Sequence, residues 1–437
     1  MPDRLTARVL PHAVDPDALF VALEADAEDL FWLDAGAGAS EGWSYIGTGD
    51  IAAAPDDIRL DIAAPSADPT GPPLRGGWVG WFDYESGAQS AGAPVARTTG
   101  EPVTTGLRIT RMAAFDHETG RVWVLTDEES QHDWARYVAS VGTAPDMPSA
   151  PASAAAVARH TPEEYAHLIE RCRELIRAGT AYQLCLTTRF TVPGVHDGVA
   201  VYRRLRSATP AHHGGFLRMA GESLLSASPE QFLQAENGVI LTRPIKGTRP
   251  RGRDAAEDVA LAAELAADPK ERAENVMIVD LMRNDLSRVC VPGSIRVDAL
   301  WAVETYPAVH QLVSTVSGSA AEGTTVGDLL AAAFPAGSMT GAPKLSAMTE
   351  LHTLEGGPRG VYSGCFGYIG DDGTLDLAMV IRSVVLDRSG ARVGAGGGIT
   401  WRSVAASEVA EVATKARAPL TALGAEMPGA WASDILN

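Results

Sequence analysis

The chain has 437 residues, 46% of them hydrophobic, and carries a formal net charge of −19. That length supplies ample material for a large buried core. The acidic balance leaves no basic footprint for a phosphate backbone, so nucleic acid is excluded as an expected partner, and an anionic ligand must be met by locally placed cations.

The first residues lead into no signal-type apolar stretch, and no long uncharged apolar run occurs further on; a cytoplasmic protein without a membrane segment is expected. Cys172, Cys185, Cys290 and Cys365 form no C-x-x-C pair and read as reduced thiols in core packing. Residues 1–148 form a first segment, interrupted by an Ala/Pro-rich loop from Ala63 to Pro73. Residues 149–158 read as a linker, within a run of Ala, Pro and Ser from Ala144 to Ala158 that has little to bury. The main unit is then expected over residues 159–430. Thr161-Pro-Glu-Glu164 offers an N-cap, a proline at the first helical position and a glutamate able to close a capping box. Tyr165, Leu168, Ile169, Cys172, Leu175 and Ile176 follow at helical spacing up to Gly179. Beyond it, β-type runs at Leu184–Phe190, Val239–Thr242, Tyr362–Ile369 and Ala378–Leu386 alternate with helical stretches at Glu271–Leu286 and Val326–Phe334, which predicts an α+β fold.

Gly394-Ala-Gly-Gly-Gly-Ile399 misses the dinucleotide-loop spacing and leads into strand-forming residues. Ala336 to Lys344 lacks the terminal Ser/Thr of a phosphate loop and reads as a loop entering a helix, with Pro343 in its first turn. Glu271 and Glu274 share one helix face, and Glu408 and Glu411 repeat the spacing. If the two helices converge, four carboxylates make a hard oxygen cage suited to Mg²⁺; taken singly, each pair fits a solvated face better. Lys246 follows the end of a β-type run, where partial desolvation would lower its pKa and free the amine as a nucleophile, although most lysines only solvate a surface.

Six blocks occur together and in order: Ser228-Pro-Glu230, Pro244 to Gly252, Arg272 to Leu286, Ser338 to Lys344, Arg359 to Gly364 and Gly396 to Ile399. They closely resemble the chorismate-utilising enzymes, a group that includes anthranilate, aminodeoxychorismate, isochorismate and salicylate synthases. The resemblance runs from about Thr161 to Pro419 and is weaker in the first segment, where Gly42 to Gly47 and Gly76 to Phe82 carry it. It implies two packed antiparallel β-sheets surrounded by helices. Lys246 matches the lysine that separates aminodeoxychorismate enzymes from the anthranilate type.

The resemblance implies that the Lys246 amine attacks C2 of chorismate while Glu230 protonates the departing 4-hydroxyl. Ammonia, delivered by a glutamine amidotransferase subunit, then adds at C4. The product is the precursor of para-aminobenzoate, serving either folate or a specialised aminated metabolite. Mg²⁺ is placed on Glu274 and Glu411 with Glu271 and Glu408 in support, and the enolpyruvyl carboxylate on Tyr362, Arg382 and the backbone around Gly397 and Gly398. Ser338 and Thr248 belong to the same matching blocks as substrate contacts. Gln311 stands where relatives often carry histidine, and the neighbouring His310 is not expected to replace it, because one residue along a strand turns the side chain to the other face. Anthranilate, aminodeoxyisochorismate or isochorismate synthesis, and a chorismate-binding scaffold for an amidotransferase, are the competing expectations. Cys365 has no histidine after it in the order a Cys-His-Glu glutaminase uses, so a separate glutaminase is expected.

Overall fold

In Leu30–Asp34, Leu30 and Trp32 point to one face and Phe31 and Leu33 to the other, and all are buried. Such a strand needs cover on both sides, and the computed structural model, which describes residues 5–62, 71–97, 104–150, 154–306 and 309–433, supplies it. Phe31 and Leu33 join Val79, Trp81, Leu107, Leu217, Phe366 and Ala378 in a core between two sheets. Leu30 and Trp32 belong to a second core, under helices Pro162–Arg177, Gly198–Ala208 and Ala405–Ala422. On the far side, helices Pro269–Leu286 and Val326–Ala333 cover a third core around Ile278, Met282 and Leu329. The α+β expectation of two antiparallel sheets with helices outside is met.

One strand belongs to both sheets. Along one edge, Thr105–Asp116 pairs with Trp43–Ala52, and that sheet continues through Leu30–Asp34, His213–Met219, Glu222–Ser228, Ser383–Asp387, Gly390–Ile399 and Gln183–Pro193. Residues Thr105 to Arg108 also pair with Gly77–Phe82, which leads through Cys365–Gly370, Leu375–Met379, Gln231–Glu236 and Val239–Thr242 to Val309–Ser319. Ile245–Pro250 and Arg296–Thr305 flank that last strand. All these ladders are antiparallel, and residues before position 150 are interleaved with those after it.

The capped helix forms as its sequence requires: Thr161 and Glu164 close the capping box, and Gly179 takes a left-handed turn just past the end. The expected single run Ala378–Leu386 is instead two strands in different sheets, Leu375–Met379 and Ser383–Asp387, because the chain crosses between the sheets at residues 380–382. Likewise the Tyr362–Ile369 run begins as strand only at Cys365, after turns. Residues 63–70 of the expected loop and 151–153 of the expected linker lie outside the described residues. Within the rest of that linker, Ala156 is buried and Val157–Ala158 pairs with Thr191 and Phe190. No helix among the described residues is long and apolar enough to cross a membrane.

Because Thr105–Asp116 joins the two sheets, residues 159–433 expressed alone should give no cooperative thermal transition by circular dichroism, whereas the full chain should melt cooperatively. A sharp transition in the fragment would contradict the shared-strand account.

Candidate functional site

The chain passes between the sheets twice, side by side. Glu222–Ser228 lies in one sheet and Gln231–Glu236 in the other, and the crossing carries Pro229 and Glu230. The second crossing carries Arg382. The two are stitched by Met379 N–H to Glu230 O at 3.0 Å and Ala227 N–H to Arg382 O at 3.3 Å. Glu230 is buried and accepts a hydrogen bond from Ser338 Oγ at 3.2 Å. Burial pushes its carboxyl up to about 7, with Lys246, Ser338 and Lys415 pulling the other way.

Lys246 sits in a β-bulge. Ile245 pairs with Val313 and Thr248 with Gln311, leaving one extra residue where Lys246 and Gly247 lie, and Gly247 has φ +82°. The bulge aims the lysine inward, with Nζ 3.7 Å from where a Cβ on Gly398 would be. Among the described residues its ammonium makes no hydrogen bond or ion pair. The expected lowering of its pKa is overturned: burial does act downward, but Glu274, Cys185, Glu230 and Glu411 outweigh it and the net direction is up. Thr248 is exposed on the same strand, opposite Gln311. Gln311 is buried and its Oε1 has no hydrogen-bond partner among the described residues. His310 faces the other way, 2.9 Å from both Asp258 Oδ1 and Thr305 Oγ1.

Helix Pro269–Leu286 is keyed to this strand by buried Asn275, which accepts from Ser314 Oγ at 2.5 Å and donates to Pro244 O at 3.4 Å. That key sets Glu271 and Glu274 beside the lysine. Glu271 packs against Gly247, where a Cβ would lie 3.0 Å from its Cγ. From Ala405–Ala422, Glu408 Oε2 and Glu411 Oε1 lie 3.3 and 3.9 Å from where a Cβ on Gly397 would be. The two glutamate pairs face one another: Lys270, though pushed down by burial, is raised on balance by Glu274, Glu408, Glu271 and Glu411 together. Burial and neighbouring carboxylates raise Glu271 and Glu408, whereas for Glu411 the burial effect is overcome by Lys415, 2.7 Å away. Among the described residues no three side chains form a ready-made metal-ligand group.

The opposite wall is the glycine-rich end of Gly390–Ile399. The neighbouring strand turns the amides of Cys185 and Thr187 away, to Thr340 O and to Glu355 Oε1, so it is Leu184 and Leu186 that bond to Ile399 and Gly397. Alternation then directs the amides of Gly396 and Gly398 to the open edge, while Lys415 Nζ takes Gly396 O at 2.8 Å. Tyr362 is buried with its ring against Gly394, a position where any Cβ would fall inside the ring. Arg382 has φ +53°, makes no ion pair or hydrogen bond through its guanidinium among the described residues, and is lowered by burial. Lys415 and Gln183 went unread in the sequence. Gln183 is buried with neither amide atom partnered among the described residues, its Nε2 2.5 Å from a Gly398 Cβ position. The available signal was a lone amide at the head of the apolar run Leu184 to Leu186.

Together these groups offer an uncommitted guanidinium and backbone amides for a carboxylate, a carboxyl poised to donate a proton, an uncommitted amine, and a carboxylate cluster with affinity for a hard cation. The family model for chorismate binding enzymes matches residues 32–421. The chain is 40% identical, over 99% of its length, to an aminodeoxychorismate synthase of Streptomyces pristinaespiralis, of which the match covers 67%. It is 35% identical, over 98% of its length, to an aminodeoxychorismate synthase of Streptomyces griseus, of which 65% is covered. The chain thus spans about two thirds of the length of these two relatives. The crystal structure of anthranilate synthase component I from Streptococcus pneumoniae matches with a TM-score of 0.73 at 27% identity, over 96% of this chain and 92% of that one.

The Glu230 environment makes stability depend on pH. Its folded value, about 7, lies above the ordinary value of 4.5, so its contribution is complete below about 4.5 and is lost as pH rises through about 7. Between those limits the wild-type chain should lose about 3 kcal/mol relative to Glu230→Gln. Urea midpoints of both proteins across pH 4.5–8 test this, and parallel profiles would refute it.

Proposed function

Because the chain belongs to the chorismate-binding enzyme family, we propose that it is the chorismate-aminating part of an aminodeoxychorismate synthase, converting chorismate and ammonia to 4-amino-4-deoxychorismate. The observation that carries this reading is Lys246, an inward-facing cation without a partner among the described residues, held between Glu230 and the Gly398 edge. The names of the two Streptomyces relatives support the same branch.

Arg382 and Tyr362, with the outward amides of Gly396 and Gly398, receive the enolpyruvyl carboxylate; a guanidinium suits it by bidentate geometry. The deprotonated Lys246 amine bonds to C2, the electron pair is relayed through the ring diene, and the C4–O bond breaks as Glu230 donates its proton to form water. Ammonia then bonds to C4, the diene shifts back, and the C2–N bond to Lys246 breaks. Each half is an allylic substitution easier than direct displacement. Ser338 holds the Glu230 carboxyl in place, and Gln183 and Gln311 offer amides to the polar edge of the substrate.

The raised carboxyls of Glu271 and Glu408 mark an acidic cluster that fits a hard divalent cation. Glu274 and Glu411 would hold Mg²⁺, with Glu271 and Glu408 in support; when bound it would neutralise the cluster and secure the ring carboxylate. Ammonia comes from a glutaminase that does not use Cys365, which is fully buried and whose thiol burial drives well above the ordinary value, so that it offers no thiolate.

Purified chain incubated with chorismate, Mg²⁺ and ammonium should give an aminated, non-aromatic product by mass, and none when glutamine replaces ammonium. Anthranilate with stoichiometric pyruvate would overturn the assignment. Lys246→Ala should abolish or divert the product, and Glu230→Gln should lower kcat by about 10² to 10⁴. Glu274→Gln should weaken Mg²⁺ binding in calorimetry without chorismate, and an unchanged affinity would remove Glu274 from the metal set.

A further inference from the structure

Tyr362 is carried by a turn whose backbone is held from the other end of the sequence. Helix Tyr84–Ser90 follows Gly77–Phe82 in the first segment, and its Glu85 is buried. Glu85 Oε1 accepts the Arg359 N–H at 2.7 Å and Oε2 the Gly360 N–H at 2.9 Å, while Tyr84 N–H donates to Gly360 O at 2.9 Å. Both carboxylate oxygens are committed to one dipeptide. The turn it grips has two residues with positive φ, Gly360 at +67° and Ser363 at +66°, on either side of Tyr362. Such a turn is not the backbone's own preference and needs external bonds to persist.

The same dipeptide reaches the rest of the site. The buried Arg359 guanidinium donates to Met339 O at 2.6 Å, one residue from Ser338, and to Cys185 O at 2.8 Å, opposite Gly398 in the ladder. It also pairs with Glu355, at 2.8 Å from Nε and 2.7 Å from Nη2, and stacks on the Tyr84 ring at 4.3 Å. Glu355 Oε1 in turn takes the Thr187 N–H at 2.8 Å. Arg359 therefore ties the Ser338 turn, the Gln183–Pro193 strand and the Tyr362 turn into one rigid unit, and Glu85 fixes where that unit sits.

We propose that Glu85 is a positioning residue for the site: through the amides of Arg359 and Gly360 it sets the placement of Tyr362 and of the Arg359-linked walls, and thereby the affinity for the enolpyruvyl carboxylate. The inference rests on the proposed role of Tyr362 in binding that carboxylate. Glutamine at position 85 can accept one N–H but turns an NH₂ toward the other, and aspartate keeps the charge on a shorter arm that cannot span both amides.

The test reads binding and local protection, neither of which needs turnover. In Glu85→Gln, chorismate should bind about 10-fold more weakly by fluorescence titration, and amides of residues 359–364 should exchange at least about 10-fold faster while those of the sheets remain protected. Glu85→Asp should fall between wild type and Glu85→Gln in both readouts, and decides the matter should Glu85→Gln not fold. Asp34→Asn removes another buried carboxylate of the first segment, one that pairs with Arg206, and controls for general destabilisation. Unchanged affinity or unchanged exchange at 359–364 in the Glu85 variants overturns the proposal, as does an equal loss of affinity in Asp34→Asn. Failure of the amination reading appears separately, as absence of aminated product from the wild-type chain.

Discussion

Two sheets that share a strand still need the chain to pass from one to the other, and at each passage the ladder must stop. At residues 229–230 and 380–382 the backbone leaves one set of hydrogen bonds before joining the next, and the two passages satisfy each other through Met379 to Glu230 and Ala227 to Arg382. Irregular backbone at the centre of a layered core is thereby made tolerable, since its polar groups are paired. Side chains at the two passages point neither into an apolar core nor freely to solvent. Glu230 and Arg382 stand there because the topology leaves a gap between layers, and the lysine bulge, the glycine edge and the glutamate helices close around it.

Charge within that gap is distributed by commitment. Lys344 is spent on Asp285 at 2.8 Å, Arg359 on Glu355 and the carbonyls of Met339 and Cys185, and Lys415 on Glu411 and Gly396 O. These pairs are structural, because removing one partner would strand a buried charge. Lys246 and Arg382 are treated differently: among the described residues each is placed near opposite charge or a ring without being bonded to it. Acidic clustering around Lys246 holds its ammonium protonated, so neutralisation of the carboxylates is coupled to release of the amine. An acidic protein can thus receive a dianion with few cations, provided those few remain unspent.

Much of the placement of the site residues was legible because these side chains sit in short blocks whose order is itself informative. The Glu271/Glu274 and Glu408/Glu411 spacings gave a shared helix face directly, and the one-residue offset at His310 correctly turned it away from Gln311. What sequence reasoning lacked was tertiary electrostatics. Desolvation alone argues for a lowered Lys246, and the convergence of Glu274, Cys185, Glu230 and Glu411 reverses the sign. The break at Arg382 was invisible because Ala378 to Leu386 is apolar throughout apart from Arg382 and Ser383, and period-2 patterning cannot report that a strand changes sheets. Gln183 was missed for a related reason: an amide is read as tolerable at a strand end until its partners are counted. Nor does any local pattern couple Glu85 to Arg359, which are far apart in sequence.

The shared strand also shapes how the chain must be made. Gly77–Phe82 is buried along its whole length, yet one of its edges pairs with Cys365–Gly370, near the far end of the sequence. During synthesis that Trp- and Phe-bearing edge emerges roughly half a minute before its partner at ordinary elongation rates. An open apolar edge is a template for pairing with other chains. The architecture that gives this protein its interlayer gap therefore makes the nascent chain dependent on protection until its last third has left the ribosome.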